Sequence, residues 1–433
     1  MGSVSVDEVE IFDPAIHLNY SPPAHLFSLA DLQLEQRPSS TPIAATPAFS
    51  FLSHEGVLAY RRALFSDEVL KTCSVTTGSN ALILRNAGGH SKFLHDLWNH
   101  PETLRIMSEN MKAPLIPIFQ LEEGFVSVQT ESCDIDEMKR EISQVPQHVR
   151  IPLTKEQENF DPLNSNILPW HYDSYPYACI VMLSHTEGMV GGETYIKRGD
   201  KKIEKVEGPS YGCAYIIQGG ILEHLASRAI GVKERIASVT SFRAAVPGMY
   251  DVSYLTNTRP VTDLKIMYRE WATYRLQVLE SEIKDMRAKI DKDGEVDLNE
   301  FSTFAANQVE YTQRTQRQMV TNVYTKSCIE RHGFMEYLNA GPIWDRISNH
   351  LDFTQKLSEA DPDIDWKVAR DYVGDLAMSK NALRHGEILQ GQLGPVSWSW
   401  EREYVMGDEL LRQGQREIFF EWVEKTGLWA LKS

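Results

Sequence analysis

The sequence predicts an α+β chain in which a β-sandwich or barrel lies between two helical flanks. Three observations carry that expectation. Hydrophobic periodicity is helical from Phe51 to Ala113, changes to a period of two from about residue 114, and returns to helical after Pro260. The middle stretch breaks into short β-branched or aromatic runs separated by Gly, Pro, Asn and Asp clusters, the pattern of a sandwich or barrel. At 433 residues, 42% hydrophobic, 24% charged and 10% aromatic, the chain has a globular composition and is long enough for a sizeable core.

Residues 1–50 hold Ser21-Pro22-Pro23, Pro38-Ser39-Ser40-Thr41-Pro42 and Pro47, which disfavour regular structure and predict an extended N-terminal arm. Residues 51–255 are the expected core with its preceding helices. Ser53 is placed to cap a helix carrying Val57, Leu58, Tyr60 and Leu64, and Pro101 suits the first turn before Leu104, Met107 and Met111. Strands are expected at Leu115–Gln120, Gly124–Thr130, Ile167–Asp173, Ala178–Leu183, Glu193–Ile196, Gly212–Gln218 and Arg235–Phe242. Residues 256–433 read as a long helical C-terminal extension. Its first helix, capped by Thr262, repeats Leu264, Met267, Trp271, Tyr274, Val278, Ile283 and Met286 every three or four residues. Asp291–Gly294 ends it, and Asp297 or Asn299 caps the next. The acidic run from Asp291 is no calcium loop, because Val296 stands where the sharp turn needs glycine.

With 44 basic against 60 acidic residues the formal charge is −16, which repels phosphate backbones and excludes nucleic acid as a partner. No run approaches the ~18 apolar residues of a spanning helix, and the N-terminus lacks a signal-peptide pattern, so no membrane partner is expected. Cys73, Cys133, Cys179, Cys213 and Cys328 show no CxxC spacing and suit free thiols in a reducing cytoplasm.

The segment Trp170-His171-Tyr172-Asp173 holds His-x-Asp on an expected strand, where residues two apart share a face and can grip one ion. With thirteen histidines and sixty acids, about two His-x-Asp/Glu matches arise by chance, and the chain has five. His100/Glu102 flanks Pro101 at a helix start, and His350/Asp352 and His385/Glu387 lie in helical sequence, where positions two apart diverge. His185/Glu187 falls in a turn before Gly191-Gly192. His171/Asp173 alone lies within a strand. A third ligand is expected from a distant strand, and His224 follows Gly219-Gly220, 51 residues after Asp173. Two histidines and one carboxylate leave open positions on Fe(II) for a chelating co-substrate and O2, whereas a structural metal would be enclosed by four ligands. Eleven residues past His224 stands Arg235, whose guanidinium on a strand needs either a carboxylate ligand or an ordinary salt bridge to an acid such as Glu234.

His171-x-Asp173, Gly191-Gly192-Glu193-Thr194, His224 and Arg235, in that order and spacing, resemble the Fe(II)/2-oxoglutarate-dependent oxygenases over residues 50–245. The resemblance implies a double-stranded β-helix, or jelly-roll, core. It implies iron held by His171, Asp173 and His224 as the catalytic centre, and 2-oxoglutarate held by Arg235 with O2 as co-substrate. The chain departs from many relatives in carrying Ala237, where they place a serine two residues after the arginine, so the second hydrogen bond to the carboxylate has no assigned donor. More loosely, the whole chain resembles fungal small-molecule members of secondary metabolism, including enzymes that oxidise free amino acids such as valine to an aziridine. Oxidation of an unactivated C–H bond in a small molecule is therefore expected, by hydroxylation, desaturation or ring closure. The alternatives are a protein or peptide hydroxylase, a non-catalytic jelly-roll binding module, and a cupin-like metalloenzyme that uses no 2-oxoglutarate.

Overall fold

A computed structural model describes residues 10–319, except 37–39, 77–81, 131–134, 143, 156, 207–209, 247, 250, 252, 256–257 and 259–261. The expected helices beyond Met319, with His350/Asp352, His385/Glu387 and Cys328, lie outside the described residues, as does Cys133. The chain divides into two compact units, one comprising residues up to Ser253 together with Arg269–Tyr274, the other Tyr254–Tyr268 and residues from Arg275 onward.

In the first unit, residues 10–50 are not free of regular structure. They form the short helix α1 (Pro14–His17) and strands β1 (Phe27–Ser28), β2 (Ile43–Ala45) and β3 (Phe49–Ser50). The helices that follow begin where the sequence places their caps. Ser53 accepts from the Gly56 N–H to open α2 (His54–Leu64), and Ser66 does the same from Val69 for α3 (Asp67–Cys73). Strands β4 (Ser74–Thr76) and β5 (Leu82–Leu84) precede α4 (Ala87–His90), α5 (Lys92–Asn99) and α6 (Pro101–Met111). His100 caps α6 through its ring nitrogen and Pro101 occupies the first turn, so the His100/Glu102 pair is a helix start and not a ligand set.

The strands of the core are β6 (Leu115–Pro117), β7 (Phe125–Thr130), β8 (Asn166–His171), β9 (Tyr177–Met182), β10 (Val190–Gly191), β11 (Thr194–Lys197), β12 (Ile203–Val206), β13 (Cys213–Ile217), β14 (His224–Ser227), β15 (Ala229–Ile230) and β16 (Glu234–Ala244), with α7 (Ile135–Glu141) after β7. They build a larger antiparallel sheet in the order β1-β2-β13-β9-β16-β7-β5-β4 and a smaller one in the order β12-β11-β14-β8. The chain alternates between them: β7, β9, β13 and β16 in the larger, β8, β11, β12 and β14 in the smaller. That is the winding a jelly roll requires. β2 and β3 pair with β13 and close its outer edge, which is why the proline-rich start of the chain acquires strands the local sequence does not announce.

Each face of the larger sheet has its own core. Tyr215 of β13 pairs with Ile180 of β9, which pairs with Val239 of β16, so these side chains point the same way. Ala178, Ile180, Tyr215, Ile217 and Ala237 on that face pack with Ile196 and Val206 of the smaller sheet, forming the interior between the sheets. The opposite face carries Cys179, Val181, Ile216, Ile236 and Phe242 against Val57, Tyr60, Leu94, Trp98 and Met107 of the helices. Trp98 donates to the Tyr60 hydroxyl, which is hydrogen-bonded to Ser238 at 2.6 Å. Burial raises the pKa of that phenol, so it stays a neutral hydrogen-bonding link.

In the second unit, α8 begins at Leu264 and is capped by Asp263 rather than Thr262, the carboxylate accepting from the Lys265 and Ile266 N–H groups. A carboxylate at a helix N-terminus also gains from the helix dipole. The helix (Leu264–Asp293) ends at Gly294, whose φ of 73° suits glycine, and Asp297 caps α9 (Leu298–Arg317). Arg275 lies 3.5 Å over the Tyr311 ring and donates to Thr315, joining the two helices. Among the described residues no helix is long and apolar enough to cross a membrane.

The most exacting contact beneath the helices is a buried ion pair: Arg61 of α2 grips both oxygens of Glu234 and donates to the Leu183 carbonyl. Replacing Arg61 with leucine leaves a buried carboxylate unpaired and is expected to cost about 3–5 kcal/mol in chemical denaturation. Arg62→Leu, which loses only a half-exposed pair with Glu10, should cost less than about 1 kcal/mol. Equal losses in the two variants would show that the buried pair carries no special share of stability.

Candidate metal centre

Strand β8 ends at His171, and Asp173 lies two residues later in the turn before β9, not within the strand as the alternation suggested. The turn holds the aspartate by its backbone, the Asp173 N–H donating to the Gly219 carbonyl at 2.9 Å. Glycine is needed at 219 for room: a Cβ there would lie 1.7 Å from Asp173 Oδ2. His224 opens β14 and stands directly opposite His171 in the antiparallel register. The two rings lie side by side, with centroids 4.2 Å apart.

The three predicted ligands therefore converge. Nε2 of His171 and Nε2 of His224 each stand 3.6 Å from Asp173 Oδ1, and one donor atom from each residue falls within 4.8 Å of the others. Bonds of about 2.0–2.2 Å to nitrogen and carboxylate oxygen span donor pairs up to about 4.2 Å apart, so either imidazole can share an ion with the carboxylate. Among the described residues this is the one such cluster of His, Cys, Asp and Glu.

The protonation states suit metal binding. Burial, helped by the neighbouring His171, pushes the His224 imidazole down to about 4, so it is neutral near pH 7. Its Nδ1–H donates to the Leu222 carbonyl at 2.9 Å, which leaves the Nε2 lone pair facing Asp173. Burial opposes ionisation of Asp173, but the His224 and His171 imidazoles outweigh it and hold the carboxyl below its usual range. Two imidazole nitrogens and one carboxylate form a donor set of the facial-triad type, with positions left for other ligands.

Arg235, the second residue of β16, shares the inward face with Ala237 and Val239 and is 7% exposed. Its Nη2 donates to the Gly192 carbonyl at 3.0 Å, and its buried Nε has no hydrogen-bond partner among the described residues. Glu234, the acid named as the alternative salt-bridge partner, points to the opposite face and belongs to Arg61. Burial lowers the pKa of Arg235, opposed by Tyr215 and Glu193. The Tyr215 phenol is hydrogen-bonded to Thr194 at 2.6 Å. Burial chiefly pushes it up to about 12, with the Arg235 charge lowering it and Asp173 raising it.

The remaining candidates do different work. His185 and His148 both lie within 3.6 Å of Glu187 and form a surface group in which His185 also stacks on Tyr211. Tyr175 spends its hydroxyl on Glu122 and Tyr177 on Thr41, neither at the metal ligands. Sequence reasoning missed Gly219 and Tyr215. The adjacent glycines at 219 and 220 were the available signal for the first. The second becomes visible only through strand register.

No family model matches the chain, and no curated protein matches it. Solved structures do. A 2OG-Fe(II) oxygenase family oxidoreductase from Burkholderia pseudomallei is 10% identical over 43% of this chain and 90% of that one, with a TM-score of 0.27. A prolyl-4-hydroxylase from Pseudomonas putida is 14% identical over 47% and 92%, with a TM-score of 0.27. The non-heme alpha ketoglutarate dependent carbocyclase SnoK from nogalamycin biosynthesis is 17% identical over 47% and 80%, with a TM-score of 0.30. Likeness at that level transfers neither fold nor activity, and the functional reading rests on the side chains.

Removing the Asp173 charge or crowding it should both weaken metal binding. Asp173→Asn is expected to reduce Mn(II) affinity by at least tenfold in calorimetric titration, and Gly219→Ala by about 10–100-fold through displacement of the carboxylate. A Gly219→Ala protein with wild-type affinity would show that the aspartate is not confined as described.

Proposed function

We propose that this chain is an Fe(II)- and 2-oxoglutarate-dependent oxygenase with a jelly-roll core. The observation that carries the reading is Arg235: a cation on the inward face of the larger sheet, buried and, among the described residues, without a carboxylate partner. A buried guanidinium without a counter-ion is costly, and a carboxylate-bearing ligand removes that cost.

His171, Asp173 and His224 would hold the iron, and Arg235 would hold the distal carboxylate of 2-oxoglutarate. Iron with its co-substrate supplies O2 activation coupled to loss of CO2 and formation of succinate, the chemistry that oxidises an unactivated C–H bond. This chain's residues bind, orient and shield. Leu222 keeps the His224 lone pair free, Gly219 gives the Asp173 carboxylate its place, and Ile180, Tyr215 and Ala237 form a wall that excludes water.

The substrate class we assign is a small molecule of secondary metabolism, such as a free amino acid like valine, and it rests on the sequence resemblance alone. Hydroxylation, desaturation and ring closure, aziridine formation included, differ in how the reacting carbon is positioned, and product mass separates them.

Protein supplied with Fe(II), ascorbate and 2-oxoglutarate is expected to release succinate, faster when a panel of amino acids and peptides includes the true substrate. His171→Ala and Asp173→Ala should abolish release. A product lighter by two hydrogens marks cyclisation or desaturation, and one heavier by an oxygen marks hydroxylation. Arg235→Ala should weaken 2-oxoglutarate binding by about 2–5 kcal/mol with Mn(II) affinity retained. Tight metal binding with no affinity for 2-oxoglutarate would overturn the assignment in favour of a metalloprotein that does not use it.

A further inference from the structure

Strand β7 brings a second unsatisfied donor to Arg235. Gln129 is the residue directly opposite Arg235 in the antiparallel register of β7 and β16, so the two side chains leave the sheet on the same inward face as neighbours. Gln129 is 4% exposed. Its Oε1 accepts from the Ala229 N–H at 3.3 Å, and its buried Nε2 has no hydrogen-bond partner among the described residues.

The two residues are used alike. Each spends one polar atom on the small ladder of β10 and β15, Gln129 on Ala229 and Arg235 on the carbonyl of Gly192, which follows β10. Each then leaves one buried donor idle. An unsatisfied buried donor is expensive, and two side by side define a place where an acceptor with two oxygens fits. Nothing on β16 itself supplies the second hydrogen bond: position 237 is alanine, and Ser238 points to the opposite face, where it bonds Tyr60.

We propose that Gln129 and Arg235 form one carboxylate-binding subsite, in which the Gln129 amide donates the hydrogen bond that Ala237 cannot. The inference rests on the functional reading above and deepens it. Arg235 supplies the charge; Gln129, a neutral donor held by Ala229, fixes where the second carboxylate oxygen sits and so selects a 2-oxo acid with a carboxylate tail.

The test is calorimetric titration of the full chain loaded with Mn(II), using 2-oxoglutarate and, separately, oxalate, which chelates a metal but has no tail. Gln129→Leu should weaken 2-oxoglutarate about tenfold or more, the loss of a hydrogen bond to a charged group. Gln129→Glu, nearly isosteric, should weaken it further by pairing with Arg235 and repelling the ligand. Oxalate and Mn(II) affinities should stay within about twofold of wild type, as they would not if Gln129 merely supported the fold. Variants that bind 2-oxoglutarate as wild type does, or that lose oxalate as fully as 2-oxoglutarate, overturn the subsite. Wild-type protein that binds Mn(II) and oxalate but not 2-oxoglutarate overturns the functional reading beneath it, which is a different result.

Discussion

The antiparallel pairing of β14 with β8 is the constraint on which the centre depends. Its register sets His224 opposite His171, and a slip of one residue would turn either imidazole to the other face of the smaller sheet. The third ligand is not on either strand. Asp173 comes from the β8–β9 turn, which interlocks with the β13–β14 turn through two backbone hydrogen bonds, Asp173 N–H to Gly219 and Gly220 N–H to Pro176. Gly220 adds to the closeness: a Cβ there would stand 2.9 Å from the Tyr175 carbonyl. Four strands and two turns must be in place before three donor atoms share one point, so metal affinity at this candidate centre would be bound up with folding.

Strand β16 sorts its residues in the same economical way. Glu234 turns outward to Arg61 and Arg235 inward; Ser238 turns outward to Tyr60 and Ala237 inward. The outward positions tie the sheet to α2, while the inward ones line the interior. An acid and a base adjacent in sequence thus never neutralise one another, because strand alternation separates them by the thickness of the sheet. Arg61 takes up the charge of Glu234, and Arg235 keeps its own.

Much of this was legible from local pattern. Ser53, Pro101 and Asp297 cap or open helices through their own side chains, and the three ligands follow from a short strand motif and its spacing to His224. What escaped depends on partners distant in sequence. Ile43–Ala45 is a strand because β13 offers it an edge, and the prolines around it say nothing of that edge. Gln129 reads as one polar residue in a β-run until its register with Arg235, over a hundred residues away, is known. Asp173 was placed on the strand because alternation alone cannot show that β8 stops at His171 and that the next turn delivers the carboxylate.

If His171, Asp173 and His224 hold a divalent cation as proposed, charge closure would favour a dicarboxylate over a monocarboxylate in this interior. Both imidazoles must be neutral to ligate, and burial keeps His224 so. A divalent cation with the Asp173 carboxylate would leave one positive charge at the metal, and Arg235 contributes a second on the inward face of the larger sheet, while burial keeps the Tyr215 phenol neutral. In a low-dielectric cavity an uncompensated pair of positive charges is strongly unfavourable, and hydrogen bonds alone cannot discharge it. A ligand with one carboxylate at the metal and one at Arg235 would bring two negative charges and balance both. Glu193, the acid whose charge acts on Arg235, accepts from Ser227 and stands 3.9 Å from Lys205, and among the described residues no carboxylate pairs with the guanidinium.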